Sequence, residues 1–187
     1  MEPMTFWRTI ALDLKANKVT TFVPSGAMLF KHLAWGLIYS PRFNCVFWYR
    51  VNRLMHLRKL PGRRLLSVWR FYRFGNEISY LADIGPGFRL SHVPDIIIGA
   101  ATKVGSGFQI YNGVTLGGRT TSQGPTLGDN VLIYTGSKVL GDIKIGDNVT
   151  IGAMSLCIKD VPSNSIMYGI PPNVTVKPAT QLRSEDE

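Results

Sequence analysis

Residues 127–157 read LGDNVLIYTGSKVLGDIKIGDNVTIGAMSLC, and within them a small apolar residue returns every six positions: Leu127, Ile133, Val139, Ile145, Ile151 and Cys157. An α-helix repeats at 3.6 residues and a strand at two, so neither alone explains the period. A solenoid does. If each hexapeptide forms one flat side of a triangular coil, the aliphatic residue points inward every time and stacks on its counterpart a coil away. A small or turn-forming residue often follows it, as at Gly128, Gly146 and Gly152, and the expectation is that this residue supplies the positive φ of a corner. Toward the N-terminus the pattern continues at Leu116, Ile110, Val104, Ile98, Leu90, Ile84 and Ile78. Thirteen inward positions at three per coil give a little over four coils. Cys157 occupies an inward slot and reads as a core residue, not a nucleophile.

The register breaks twice. Leu90 and Ile98 are eight residues apart, which places two extra residues within Ser91-His92-Val93-Pro94-Asp95, and Leu116 and Leu127 are eleven apart, which forces an excursion within residues 118–126. Insertions in a solenoid map to loops on one face, where binding sites gather.

The segment 1–76 has a different texture. Of 21 Lys and Arg, 13 lie there against only Glu2 and Asp13, a net +11, whereas residues 77–187 carry −2. All four tryptophans (Trp7, Trp35, Trp48, Trp69) lie in the same segment. Helices are expected around Met28 to Tyr39, ending before Pro41, then from Asn44 to a break at Pro61-Gly62, then from Arg63 to Phe74. Arginine stems can cover apolar helix faces, but Lys/Arg interleaved with Trp, Tyr and Phe also marks helices that lie in the interface of an anionic membrane. The membrane surface is the expectation here, because it explains the tryptophans as well as the arginines. No base-reading motif accompanies the charge, so nucleic acid is not expected as a partner. Arg8, Asp13, Lys15 and Lys18 interrupt the opening as no secretory leader would, and no apolar run reaches the ~18 residues of a spanning helix. Cys45 and Cys157 stand far apart without a CxxC partner, which suggests neither a disulfide framework nor a thiolate metal site. A cytoplasmic protein is expected, peripheral on the inner face of the membrane. The divisions are 1–76, a basic helical segment; 77–178, the solenoid; and 179–187, an acidic tail.

His92 is the one histidine of the repeat and stands at its first break. A single imidazole is not a metal site, and no metal is expected. Its ordinary pKa near neutrality suits a general base that removes a proton from an acceptor hydroxyl as it attacks a carbonyl. Stacking places Asn112 one coil above it. The base also needs an orienting carboxylate, and Glu77, Asp83 and Asp95 are all within reach in sequence.

Ile84-Gly85-Pro86-Gly87, Leu90-Ser91-His92, Gly113-Val114-Thr115-Leu116-Gly117-Gly118, Lys159-Asp160-Val161-Pro162 and Gly169-Ile170-Pro171-Pro172 together resemble the hexapeptide-repeat acyltransferases, in their serine acetyltransferase-like branch. The resemblance runs from Glu77 to Lys177. It implies a mainly β fold, a left-handed parallel β-helix after a short α-helical N-terminal segment, assembled as a homotrimer. It implies that His92 is the base and that Glu77, which precedes it on the chain, orients it. Acetyl-CoA is the implied co-substrate, bound between subunits along Gly117, Gly118, Thr135, Gly136 and Ala153, with Lys159 and Lys177 for its phosphates. Backbone amides near Gly117-Gly118 are the expected oxyanion donors.

On the acceptor side the chain departs from the branch. Serine acetyltransferases carry an Asp before the histidine and an Asp-Arg-His-Pro run in the later loop; Ser91 and Ser122-Gln123-Gly124-Pro125 stand here. A buried α-carboxylate without a cationic partner is costly. The expectation is therefore a neutral acceptor: a sugar hydroxyl of a polysaccharide or lipid-linked glycan, as in capsule and exopolysaccharide O-acetyltransferases, with Asn112, Asp95 and Arg119 as acceptor-binding residues. The alternatives are a serine O-acetyltransferase of cysteine biosynthesis and a catalytically inactive trimeric scaffold at the membrane.

Overall fold

The structure is a computed structural model that describes residues 5–118, 120 and 122–176. From Glu77 to Cys157 the chain winds through short strands on three parallel sheets, one for each face of a triangular coil. The first coil contributes β1 (Glu77–Ile78), β2 (Asp83–Ile84) and β3 (Arg89–Leu90). The first face stacks Ile78, Ile98, Leu116, Val139 and Cys157. The second stacks Ile84, Val104, Leu127 and Ile145, and the third Leu90, Ile110, Ile133 and Ile151. All thirteen expected inward residues are buried. On the first face Ile98 to Leu116 and Val139 to Cys157 keep the ordinary spacing of one coil, while Ile78 to Ile98 and Leu116 to Val139 are longer. Both breaks are therefore absorbed outside the ladders without a slip. Phe88 and Phe108 stack at 5.6 Å inside the first two coils.

Two further inward residues follow Cys157. Val161 bridges to Ile145, and Met167 pairs with Ile151 from a strand at Ser165–Tyr168. The strand Asn173–Val176 then folds back antiparallel along it.

The glycines after the inward residues have another use than expected. Gly85 and Gly105 do not have positive φ; a Cβ on Gly85 would stand 2.5 Å from the Gly105 carbonyl oxygen, and one on Gly105 2.7 Å from the Gly128 carbonyl carbon. They are small so that coils can approach. Left-handed residues stand three positions after the inward ones instead, in one column of Gly87, Gly107, Asn130, Asn148 and Asn164 and a second of Gly113, Gly136 and Met154. The first column carries a side-chain ladder, Asn130 donating to Asn148 at 3.2 Å and Asn148 to Asn164 at 2.9 Å.

Four helices precede the coils: α1 (Phe6–Ala16), α2 (Gly26–Tyr39), α3 (Pro41–Leu57) and α4 (Arg63–Phe74). Helix α1 was not among the expected elements, and α3 begins at Pro41, a favoured first helical position, with Ser40 accepting from the Phe43 amide. Among the described residues no helix is long and apolar enough to cross a membrane.

The helices close the open end of the solenoid. β1, β2 and β3 are the end strands of their sheets, so their outward backbone groups have no next strand to pair with. Side chains replace it. The Asn17 amide nitrogen donates to the Phe88 carbonyl at 2.8 Å while its oxygen accepts from the Leu90 amide at 3.3 Å, as a strand peptide would. Tyr49 donates to Ala82 at 2.8 Å, Arg53 to Ala82 at 2.7 Å, and Arg70 to Ile78 at 3.1 Å. Arg50 donates to the Ile84 carbonyl and, at 2.6 Å, to that of Gly85, while its Nε meets Asp13 at 2.8 Å; Asp13 also accepts from the Phe88 amide at 2.9 Å. Three of the thirteen cations of residues 1–76 therefore serve the fold, a use that neither lipid binding nor the simple covering of apolar surface had anticipated.

Candidate active site

The corner at which the chain passes from the third face to the first carries His92, Asn112, Thr135, Gly136 and Ala153, one coil above another. His92 is exposed there, its ring centroid 6.0 Å from that of Tyr111, which stacks on Tyr134 at 5.1 Å. Neither ring nitrogen of His92 makes a hydrogen bond among the described residues, so the imidazole is open to a substrate proton. The Thr135 hydroxyl donates to Asn112, to its carbonyl at 3.0 Å and its side-chain oxygen at 3.1 Å. That fixes the Asn112 carboxamide and leaves its NH2 without a partner among the described residues.

Glu77 lies on β1, exposed, and its backbone neighbours are tied to the segment that follows His92. Its own amide donates to Ile96 at 2.8 Å, the Asn76 side chain donates to the Val93 carbonyl at 3.1 Å, and the Asp95 amide donates to Gly75 at 2.7 Å. The two extra residues of the first break thus lie along residues 75–77. The two segments meet, and among the described residues the Glu77 carboxylate makes no hydrogen bond to His92. Asp95, the third acid that sequence left open, has φ 60°, and a Cβ on Gly113 would be 3.6 Å from its carboxylate, which places it beside Asn112. Asp83 is drawn away into an ion pair with Arg53 at 2.5 Å.

Sequence reasoning passed over Lys138. It projects outward on the first face, and its ammonium donates to the Gly113 carbonyl at 2.8 Å and the Thr115 hydroxyl at 3.0 Å. Its outward slot just before an inward Val139 was legible, but its reach to the neighbouring coil was not.

Gly117, Gly118 and Lys159 are on the other edge of the first face, where the chain leaves for the second. A cavity of about 590 Å3 lies there, lined by Gly118, Gln123, Leu140, Gly141, Ile143 and Ile158. It adjoins one of about 360 Å3 that shares Gly118 and Gln123 and reaches Gly99 and Gly117. A Cβ on Gly118 would collide with the Gln123 backbone, so only glycine lets the loop fold back over this edge. Lys159 follows Ile158 and is exposed. The expected donor residues therefore divide: Gly117, Gly118 and Lys159 on this edge, Thr135, Gly136 and Ala153 on the other. The turn at Asn112-Gly113 and the strand Thr115–Gly117 lie between Asn112 and the Gly118 edge. The Gly117 and Gly118 amides, the expected oxyanion donors, are therefore on the edge of the first face away from His92 of the same chain. Arg119 and Lys177 lie outside the described residues.

Burial pushes the Cys157 thiol up to about 11, in keeping with a core role. Among the described residues no three His, Cys, Asp or Glu side chains are grouped as a metal site would require.

Residues 124–159 match the family model for the bacterial transferase hexapeptide (six repeats). The serine acetyltransferase of Bacillus pumilus is 36% identical over 147 residues, which cover 76% of this chain and 67% of that protein. The chain belongs to the hexapeptide-repeat acyltransferase family. The serine acetyltransferase of Synechococcus elongatus is 39% identical over 150 residues, 78% of this chain and 62% of that one. Among solved structures, the Neisseria gonorrhoeae serine acetyltransferase superposes with a TM-score of 0.79 at 26% identity, covering 97% of this chain and 72% of that one. A serine acetyltransferase in complex with CoA does so with 0.75 at 25%, covering 89% and 68%. The chain spans about three fifths of the length of the serine acetyltransferases of Synechococcus elongatus and Staphylococcus aureus that it matches, 62% and 59%.

These findings overturn the expected capsule or exopolysaccharide branch and its sugar acceptor, because relatives at 36 to 42% identity are serine acetyltransferases. The expectation had rested on missing charges in one loop and on a basic helical segment, part of which the fold itself uses to close the solenoid.

Proposed function

We propose that this protein is an acetyl-CoA-dependent serine O-acetyltransferase. The observation that carries the reading is similarity to serine acetyltransferases over three quarters of the chain, together with an unpartnered imidazole at the corner that the first break opens. His92 takes the proton of the serine hydroxyl as its oxygen attacks the thioester carbonyl. The tetrahedral intermediate collapses with loss of the CoA thiolate, which receives that proton from the imidazolium, and no acyl-enzyme forms. Glu77 orients the imidazole after a side-chain rotation, Asp95 meets the serine ammonium, and the free Asn112 NH2 fixes the acceptor. The pantetheine lies along the Gly117-Gly118 edge, with Lys159 toward the phosphates.

Since the base and this groove are on opposite edges of one face, a complete site takes His92 from one copy and the groove from a neighbour. A homotrimer supplies three such junctions. The test is release of CoA thiol on addition of L-serine. Wild type should show serine-dependent release and His92→Ala should lose at least about 100-fold, the ordinary share of a general base; no serine-dependent release by the wild type would refute the proposal.

A further inference from the structure

Helix α2 is apolar on both sides. Toward α1 and α3 it buries Leu29, Leu33 and Gly36. Toward solvent it turns Met28, Phe30, Trp35, Ile38 and Tyr39, between 52% and 72% exposed. A helix that needed only one packed stripe would carry polar residues on the other. The exposed rings are also organised: Trp35 and Tyr39 lie with centroids 4.1 Å apart, and Phe30 meets Trp7 of α1 at 5.7 Å. Contiguous apolar surface of this kind marks a docking face.

Charge decides what docks. Of the thirteen Lys and Arg of the helical segment, Arg50, Arg53 and Arg70 close the solenoid, and the other ten make no ion pair among the described residues. The only described carboxylate of the four helices is Asp13, which is buried against Arg50. Lys31 on α2 and Arg8 beside Trp7 are exposed at the apolar face. A second copy laid on the same face would set cations against cations with no carboxylate between them. Nucleic acid would satisfy the charge and leave five apolar side chains in water. An anionic bilayer satisfies both, taking aromatic and aliphatic side chains at the acyl boundary and cations at the headgroups.

We infer that the outward face of α2, with Trp7 and Arg8 of α1, docks this protein on anionic membrane surfaces. The inference does not depend on the acceptor of acetyl transfer. It is tested by flotation of the full chain with phosphatidylcholine vesicles, with and without phosphatidylglycerol. Wild type should float with the anionic vesicles alone and be released at high salt. Trp35→Ser/Ile38→Ser/Tyr39→Ser should lower the partition at least about tenfold with an unchanged melting temperature, and Arg8→Glu/Lys31→Glu should abolish the preference for anionic lipid. Equal flotation with neutral vesicles, or none with anionic ones, would overturn it. So would a triple variant that floats as wild type does. If the triple substitution instead broke up a larger assembly in sedimentation without changing flotation, a second copy would be the occupant and the inference would fall.

Discussion

Replacing Arg50 with methionine removes the most heavily used side chain at the closed end of the solenoid. Arg50 is 6% exposed and Asp13 fully buried. The guanidinium meets both Asp13 oxygens, at 2.8 and 3.2 Å, and holds the carbonyls of Ile84 and Gly85. Methionine matches much of the volume, so the loss is electrostatic. An unpaired carboxylate is left in the interior, which costs about 3–5 kcal/mol when one partner of a buried pair is deleted. The two freed carbonyls add to this, less than additively, about 1–3 kcal/mol each where water cannot reach. The single variant should lose at least about 3–5 kcal/mol in urea unfolding, and at about 2–4 °C per kcal/mol its Tm should fall by roughly 6–20 °C. Asp13→Asn/Arg50→Met removes the stranded charge and keeps an acceptor for the Phe88 amide, so it should be more stable than Arg50→Met alone. A loss below about 1 kcal/mol in the single variant, or a double variant less stable than the single, would refute the account of how the helices close the coils.

Ile133 is fully buried in the middle of the third face, and Ile133→Ala should cost about 2–5 kcal/mol in the same unfolding assay. Gly85→Ala should destabilise by more than its backbone conformation explains, because its Cβ would meet the Gly105 backbone at 2.5 Å, and hydrogen exchange should rise first in the first two coils. With the Cys157 thiol raised to about 11 by burial, only about one molecule in a thousand carries the thiolate at pH 8. Native protein should therefore resist iodoacetamide and react on unfolding, as followed by intact mass.

The core was legible because an inward slot in a solenoid admits little but an aliphatic side chain, and Ile78 through Cys157 keep the slot in step. Val161 and Met167 fell outside the pattern because the last coil shortens: Met167 follows its partner Ile151 sooner than Ile151 follows its own partner Ile133. The glycine after seven of the thirteen inward residues was visible, but its reason was not, since contact between neighbouring coils has no trace in spacing. Helix α1 escaped because its buried face mixes Ile10, Ala11 and Leu14 with Asp13, and Asn17 just beyond it is buried too; these polar side chains earn burial only once the end of the solenoid needs donors and acceptors. Arg50, Arg53 and Arg70 were indistinguishable in sequence from the surface cations around them for the same reason. Asn112 above His92 followed from register arithmetic and Thr135, Gly136 and Ala153 from the family resemblance, whereas the division of the donor residues between two edges followed from nothing in the sequence. The acceptor misled because it was inferred from residues a loop lacks, and a missing charge does not say what stands in its place.

The most direct test of the central claim is transfer of labelled acetyl from acetyl-CoA to L-serine, with the product identified by mass for wild type and a folded His92→Gln variant. The account predicts O-acetyl-L-serine from wild type and at least about 100-fold less from the variant. Wild type that leaves serine unlabelled, or a His92→Gln protein that labels it at the wild-type rate, would contradict it.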